Sequence, residues 1–197
     1  MATFDWPSTL RPSKQSWAIV ANGTSFVSPF SGATQTMGFP GSRWKTTLTF
    51  ENMNDEESRL LETLIVRLNG QQHRVRLFDF GRATAAQKGT PLVNGAGQSG
   101  DSVSTDGWTA NTKVLSKGDF IQIATEYKQV LDDVTSDASG QATINIGPML
   151  RYSPADNAVI NVTSPSSVFM QSDLENGWDR KPAFATDFSL SFIEAFP

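Results

Sequence analysis

A strand–helix–strand pattern between Arg43 and Phe80 constrains the fold of this chain more than any other stretch. It begins with RWKTTLTF, in which large or threonine side chains alternate with charged and polar ones. This period of two predicts a strand with one buried face, made by Trp44, Thr46, Leu48 and Phe50. The segment QQHRVRLFDF closes the pattern as a second, basic strand.

The segment ENMNDEESRLLETLIVRLNG between these strands is typical of an amphipathic helix, predicted over residues 54–69. Asn54 is the expected N-cap, and Glu57 stands where it completes a capping box. The acids of the first turn, which complement the positive end of a helix, are Asp55, Glu56 and Glu57. The predicted apolar stripe is Leu60, Leu61, Leu64, Ile65 and Leu68. Gly70 is expected to supply the left-handed residue that ends the helix.

The rest of the chain favours strands and turns, because 13 Phe, 15 Gly and 10 Pro suit short strands joined by tight connections. We therefore predict a mainly β fold with one long helix (α+β). The expected first domain, a β-sandwich or split barrel, comprises residues 1–88 and 182–197, because the closing strand DFSLSFIEAF returns to its sheet. Residues 108–168 are predicted to form an inserted small barrel or sandwich, and 89–107 and 169–181 are connectors.

Several classes of site are excluded or disfavoured by composition. The chain has no Cys, which excludes disulfides, thiolate zinc sites and cysteine nucleophiles, and it has one His. No cofactor or metal site is expected. No apolar run approaches the length that spans a bilayer, and the amino-terminal residues lack a signal-peptide pattern, so we expect folding in a cytoplasm without a membrane partner.

Charge is divided unevenly along the chain. Residues 1–88 carry ten Lys and Arg against seven Asp and Glu, whereas residues 89–197 carry six against thirteen. This division suits two domains with different neighbours, or one half that docks against an acidic surface. It does not suit sequence-specific nucleic-acid binding, which requires a clustered basic stripe.

Two motifs that suggest ligand chemistry do not fit their context. Residues 95–100 match the pattern G-x-G-x-x-G, but the sequence DSVSTDGW that follows does not begin a helix, so a loop is favoured over a dinucleotide site. Asp132, Asp133 and Asp137 lack the spacing of a calcium loop and favour a hairpin turn. A catalytic carboxylate pair has no support in the sequence, and we do not expect an enzyme.

Two candidate contact surfaces remain. If the two strands of the opening pattern pair, their cations share one face, which is either a solvated sheet face or a contact with another subunit or a partner. These cations are Arg43, Lys45, Arg74 and Arg76, and the acids Asp55, Glu56 and Glu57 of a neighbouring copy are their natural counterpart. The loop 31–42 presents Met37 and Phe39, which either form a contact surface or pack back on their own domain. The amino-terminal arm is a further expected contact element.

The order of several segments resembles the distal tail proteins of long-tailed bacteriophages (siphophages) that infect Gram-negative bacteria. The resemblance runs nearly end to end, and it rests on the following segments in sequence: WPSTLRPSKQSW, SPFSGATQTMGFPGSRWKTTLTF, RLNG, GAGQSG, TDGW, VLSKGDFIQI, DASGQATINIGPMLRYSPADN and FSLSFIEAF.

This resemblance implies a structural virion protein of the tail tip or baseplate, assembled in the host bacterial cytoplasm. In that family a β-rich domain with one helix builds a homo-oligomeric ring, usually hexameric, and the inserted barrel is OB-like in some members. The ring joins the tail tube protein to the hub and fibre proteins. Its lumen passes the tape measure protein and then the DNA.

An alternative hypothesis is a carbohydrate- or oligomer-binding module centred on the barrel. Small barrels of this kind bind ligands through exposed aromatic side chains on one face. The candidates in this chain are Trp108, Phe120, Tyr127 and Tyr152, of which Phe120 is expected to face the core.

Overall fold

The structure, a computed structural model, describes residues 1–181 and 185–196. Of the segment 182–197 assigned to the first domain, residues 182–184 and 197 lie outside this description. The chain divides into two compact units, one comprising Met1–Ile19, Trp44–Ala83 and Ser166–Pro197, the other Val20–Arg43 and Thr84–Pro165. The prediction of a mainly β fold with one helix and a barrel-like part is confirmed.

In the described part of the chain, one helix interrupts a long series of strands. In the first half of the chain they are β1 (Thr3–Asp5), β2 (Lys14–Val20), β3 (Gly23–Val27), β4 (Thr34–Gly38), β5 (Arg43–Met53), α1 (Asp55–Leu68), β6 (Arg74–Leu77) and β7 (Gly89–Val93). In the second half they are β8 (Ser102–Trp108), β9 (Lys113–Leu115), β10 (Phe120–Ile123), β11 (Glu126–Val130), β12 (Val134–Thr135), β13 (Ala142–Gly147), β14 (Ile160–Asn161), β15 (Ser167–Gln171), β16 (Asp179–Lys181) and β17 (Ala185–Glu194).

A seven-stranded sheet builds the first unit, in the order β1-β6-β15-β17-β5-β2, with β16 paired to β17 outside this path. Strand β17 is antiparallel to both β5 and β15. The last strand of the chain therefore lies inside the sheet, and its side chains Phe188, Leu190 and Phe192 are buried.

Strand β5 has the predicted alternation. Its four expected core residues, Trp44, Thr46, Leu48 and Phe50, are all buried, and the intervening side chains are more exposed. The amino-terminal segment covers part of this core, because the Trp6 ring stacks on Phe50 at a centroid distance of 5.9 Å and Leu10 is buried nearby in sequence. Part of the arm expected to be a contact element thus belongs to the core of its own unit.

Helix α1 begins with the predicted capping box, since the Glu57 N–H donates to Asn54 Oδ1 at 2.9 Å. Two details differ from the sequence prediction. The first left-handed residue at the end of the helix is Asn69, with a φ of 47°, rather than Gly70. Leu60 is exposed while Ser58 is buried, because Ser58 lies one helical turn before the buried Leu61 and its hydroxyl donates to the Asp55 carbonyl.

A six-stranded sheet in the order β14-β10-β11-β13-β8-β7 builds most of the second unit. A bridge between Leu92 and Val159, with the Val93 N–H bonded to the Ala158 carbonyl at 2.9 Å, connects its two ends, so the sheet is nearly closed. The interior is filled mainly by branched aliphatic side chains, among them Val103, Ile121, Ile123, Val130, Ile144 and Ile146. The barrel has six strands, whereas an OB-fold has about five.

The predicted connector 89–107 instead forms β7 and most of β8. Glycines in this stretch suggested a loop, but two of them serve a close approach of neighbouring backbones. A Cβ on Gly89 would lie 2.3 Å from the Gly107 carbonyl oxygen, and both glycines have positive φ. The G-x-G-x-x-G segment is the loop between these strands, as expected. Strand β15, divided between the predicted barrel and the second connector, belongs to the seven-stranded sheet.

Candidate assembly surface

The segment between β2 and β5 is a two-stranded antiparallel hairpin, β3–β4, in which every residue of both strands is exposed. Its tip is closed by the Ser28 N–H bonded to the Ala33 carbonyl at 2.8 Å and by the Gly32 N–H bonded to the Ser28 carbonyl at 2.9 Å. Its base is tied by Asn22, whose side-chain amide donates to the Pro40 carbonyl at 2.7 Å. The hairpin is therefore a defined element without a core of its own.

Part of the predicted loop 31–42 forms strand β4 in this hairpin. Its Gly, Ser and Thr content concealed the strand because neither face is buried, so no apolar alternation marks it. The backbone pairing to β3 supplies the order that side-chain burial does not. Met37 and Phe39 are exposed, as the contact-surface hypothesis requires.

One face of the hairpin is more apolar than the other. Thr24 stands opposite Met37, and Phe26 stands opposite Gln35, which places Phe26 and Met37 diagonally on the same face. The opposite face carries only one apolar side chain larger than alanine, that of Val27. At the tip, Phe30 is 99% exposed.

This exposed segment carries no charge. From Gln15 to Ser42 the sequence contains no Asp, Glu, Lys, Arg or His, although the chain has 16 basic and 20 acidic residues. Solvent-exposed strands are ordinarily protected by charged side chains, and the centres of protein interfaces are depleted of them. The hairpin thus has the composition of an interface rather than of a solvated surface.

The predicted cationic surface does not lie on two paired strands, as the sequence analysis expected. Strands β5 and β6 do not pair, because β15 and β17 lie between them in the sheet. Three strand spacings, roughly 14 Å, therefore separate the two strands. Local sequence could not show this, since the intervening strands come from the last third of the chain.

The four cations nevertheless share a face. Arg76 is opposite Val168, and Met170, two residues further along β15, is opposite Ile193, which is opposite Lys45. Side chains two residues apart on a strand point the same way, so the register places all the basic side chains of β5 and β6 on one side.

Some of these charges are engaged within the first unit. Arg76 Nε lies 3.1 Å from Asp5 Oδ1, which links the parallel pair β6 and β1. Arg74 donates from Nη1 to the main-chain carbonyls of Gln71, at 2.6 Å, and His73, at 3.1 Å. Their use in a subunit contact remains a prediction.

The acids at the start of α1 are engaged similarly. Asp55 Oδ2 accepts from Arg59 at 2.8 Å in an exposed pair one turn apart, and Glu57 is occupied by the capping box. Glu56 is exposed. The expected pairing of this cluster with cations of a neighbouring copy therefore competes with contacts inside the helix.

The aromatic residues of the alternative hypothesis are mostly inside the second unit, which is called the barrel unit below. Trp108 and Tyr127 are buried, and the Tyr127 ring stacks on Phe120 with centroids 4.7 Å apart. Tyr152 is exposed. A stacking platform for a ligand would therefore rest on a single ring of this set.

Sequence reasoning missed a buried ionic cluster in the barrel unit. Glu126 Oε2 lies 2.6 Å from Lys128 Nζ and 3.7 Å from Arg151 Nε, and all three side chains are almost fully buried. The Tyr152 N–H donates to Glu126 Oε1 at 3.0 Å, and Lys128 donates to the Met149 carbonyl at 2.8 Å. In the sequence these residues look like the solvent face of a strand, but β11 is covered on both faces.

The acids of the segment 132–137 hold turns, as predicted. Asp137 Oδ1 accepts from the N–H groups of Ser139 and Gln141, both at 2.8 Å. At Asp133, the side-chain hydrogen bond from Lys113 and then the backbone hydrogen bond from Lys117 hold the pKa of the carboxyl below its ordinary value. These contacts fix loops at the surface of the barrel unit.

Within residues 1–181 and 185–196, no three His, Cys, Asp or Glu side chains cluster in a way that suits a metal ion. None of the helical structure described is long and apolar enough to cross a membrane. No family model matches the chain, and no curated protein is significantly similar to it.

Proposed function

We propose that this chain is a structural component of a bacteriophage tail tip, whose copies form a ring, expected to be hexameric. In this role it joins the tail tube protein to the hub and fibre proteins, and its lumen passes the tape measure protein and the DNA. The resemblance to siphophage distal tail proteins supplies the family and these partners.

The observation that carries the self-assembly part of this proposal is the exposed, uncharged hairpin β3–β4. A two-stranded hairpin alone is at best marginally stable in water, and this one exposes Phe26, Phe30 and Met37. Burial of a large apolar side chain against a partner contributes about 1.5–3 kcal/mol. Assembly therefore offers both the stability and the burial that the hairpin lacks within its own chain.

The first experiment is to measure the mass of the purified full chain by gel filtration with light scattering over a range of concentrations, followed by negative-stain microscopy. We expect a multimer that appears as closed rings. The variants Phe26→Asp and Met37→Asp should dissociate it, because each places a charge on the apolar face.

The matched controls are Ser25→Asp and Thr36→Asp, which place the same charge on the opposite face of the same two strands. They should assemble as the wild-type chain does. A monomer at every concentration contradicts the self-assembly proposal, and equal disruption by all four variants contradicts the assignment of the apolar face.

The tail-tip assignment requires a separate measurement. An antibody against the chain should label the end of the tail in particles of the phage that encodes it. Absence of the chain from purified particles contradicts the virion assignment even if the isolated chain forms rings.

Carbohydrate binding by the barrel unit is a second candidate, favoured by one observation. A polar cleft of about 430 Å³ is lined by hydroxyl and amide side chains, including Asn94, Ser104, Gln141 and Thr143. Such groups suit the hydroxyls of a sugar. Oligosaccharide binding by the full chain in a glycan array, lost in Thr143→Val but kept in Tyr152→Ala, would establish this site.

A further inference from the structure

A second cavity, of about 320 Å³, lies in the first unit at the carboxyl end of α1. Its rim presents apolar side chains to solvent, since Val66 is 68% and Leu174 is 81% exposed, and the partly exposed Trp178 stands beside them. No charged residue lines it. We refer to it below as the α1 cleft.

Gln171 lines the α1 cleft and has an unmet hydrogen-bonding requirement. The residue is fully buried, yet within the described part of the chain neither its side-chain oxygen nor its side-chain nitrogen has a hydrogen-bond partner. Buried polar groups are rarely left in this state, because removal from water is costly unless a new bond replaces the lost one. A carboxamide offers one acceptor and donors side by side, which is the complement of a peptide group.

These features define the chemistry of an occupant. It has a bulky apolar side chain for the rim, a main-chain peptide group within reach of Gln171, and no charge. The hairpin tip has each of these properties. Phe30 is almost fully exposed, no described residue bonds to its main-chain groups, and the whole segment 15–42 lacks charge.

We propose that the α1 cleft receives the hairpin tip of a second copy of this chain, with Phe30 against Val66 and Leu174 and the tip main chain bonded to Gln171. This inference rests on the proposed self-assembly and names its acceptor surface. Tip and cleft are different surfaces of one chain, so the contact is heterologous, and repetition of it builds a ring if the rotation closes.

The test is complementation between two variants of the full chain. Phe30→Asp replaces the apolar side chain of the tip with a charged one and leaves the cleft unchanged. Val66→Asp places a charge in the cleft and leaves the tip unchanged. Each variant alone should associate at least tenfold more weakly than the wild-type chain. Mixed together they should form a one-to-one dimer and nothing larger, because only one intact tip and one intact cleft can meet.

Two controls separate this effect from a general loss of folding or solubility. Leu60→Asp introduces the same charge at an exposed position of α1 that does not line the cleft, and Thr36→Asp introduces it on the polar face of the hairpin. Both should assemble as the wild-type chain does. Circular dichroism should show that Phe30→Asp and Val66→Asp remain folded. If Val66→Asp is unfolded, Leu174→Asp serves as a second cleft variant.

The possible failures are distinguishable. A monomeric wild-type chain contradicts both self-assembly and this inference. Normal assembly of the cleft variants, together with loss of assembly in Phe30→Asp, leaves the hairpin as the donor and overturns the cleft as its acceptor. Failure of the two folded variants to combine also overturns the pairing.

Discussion

Lys128 Nζ lies 2.6 Å from Glu126 Oε2, and 0% and 5% of these two side chains are exposed. The nearby Arg151 guanidinium gives Glu126 a second cationic neighbour. Glu126 also accepts hydrogen bonds from the main-chain N–H groups of Arg151 and Tyr152, so it connects β11 to the segment that follows β13. The cluster therefore joins these two segments through both ion pairs and main-chain hydrogen bonds.

We expect Lys128→Met to lower the free energy of unfolding by about 3–5 kcal/mol, since removal of one partner leaves a buried charge with less compensation. Urea denaturation followed by fluorescence measures the change.

Lys113→Met is the matched control, because the Lys113–Asp133 pair has the same charges at 2.8 Å but lies in solvent. Its expected effect on the unfolding free energy is small, because an ion pair in solvent contributes little to stability. Equal effects of the two substitutions would show that the buried cluster does not stabilise the barrel unit.

The capping box predicts a second effect on stability. Asn54→Ala removes the acceptor of the Glu57 N–H and should cost about 1 kcal/mol of unfolding free energy. The control is Thr63→Ala in the same helix, where an exposed hydroxyl bonds back to the Arg59 carbonyl and contributes little. If Asn54→Ala is no more destabilising than Thr63→Ala, the cap has no measurable role.

The lowered pKa of Asp133 predicts a pH dependence with a definite sign. A carboxyl whose pKa is lower in the folded than in the unfolded state stabilises the fold above its unfolded pKa. That contribution disappears as the pH falls through the lowered folded pKa.

Lys113→Met removes the largest cause of this shift and should raise the pKa of Asp133, as followed by carboxyl carbon chemical shifts in an NMR titration. Lys14→Met, at a lysine not among the causes of the shift, should leave that titration unchanged. An unaltered Asp133 pKa in Lys113→Met contradicts the assignment of the hydrogen bond as its cause.

Gln171→Met separates stability from assembly. Replacement of a buried amide without partners by an apolar side chain of similar length should raise the unfolding free energy of the monomer by about 1 kcal/mol. The same substitution should weaken self-association, because it removes the groups proposed to bind the hairpin tip.

Gln15→Met serves as the control, because we expect it to lower the free energy of unfolding. Gln15 donates to the Phe78 carbonyl at 3.2 Å and accepts from the Phe80 N–H at 2.8 Å, so its loss should destabilise the first unit. Stronger association of Gln171→Met than of the wild-type chain would contradict the proposed role of this side chain.

Local sequence was sufficient where one element carries its own signal. The alternation of β5 and the capping box of α1 were predictable because burial period and cap chemistry are encoded within a few consecutive residues. The charge-free stretch from Gln15 to Ser42 was also visible in the sequence. The exposure of this stretch could not be predicted, because composition does not distinguish a buried segment from an exposed hairpin.

Tertiary structure decided the features that depend on partners distant in sequence. The separation of β5 from β6, the common face of their cations and the burial of Lys128 all result from strands contributed by remote parts of the chain. The unmet amide of Gln171 is likewise a property of its surroundings. The sequence by itself determined the local elements, because hydrogen bonds and side-chain period act over a few residues. Only the tertiary structure decided which surfaces remain exposed, because burial depends on the packing of the whole unit.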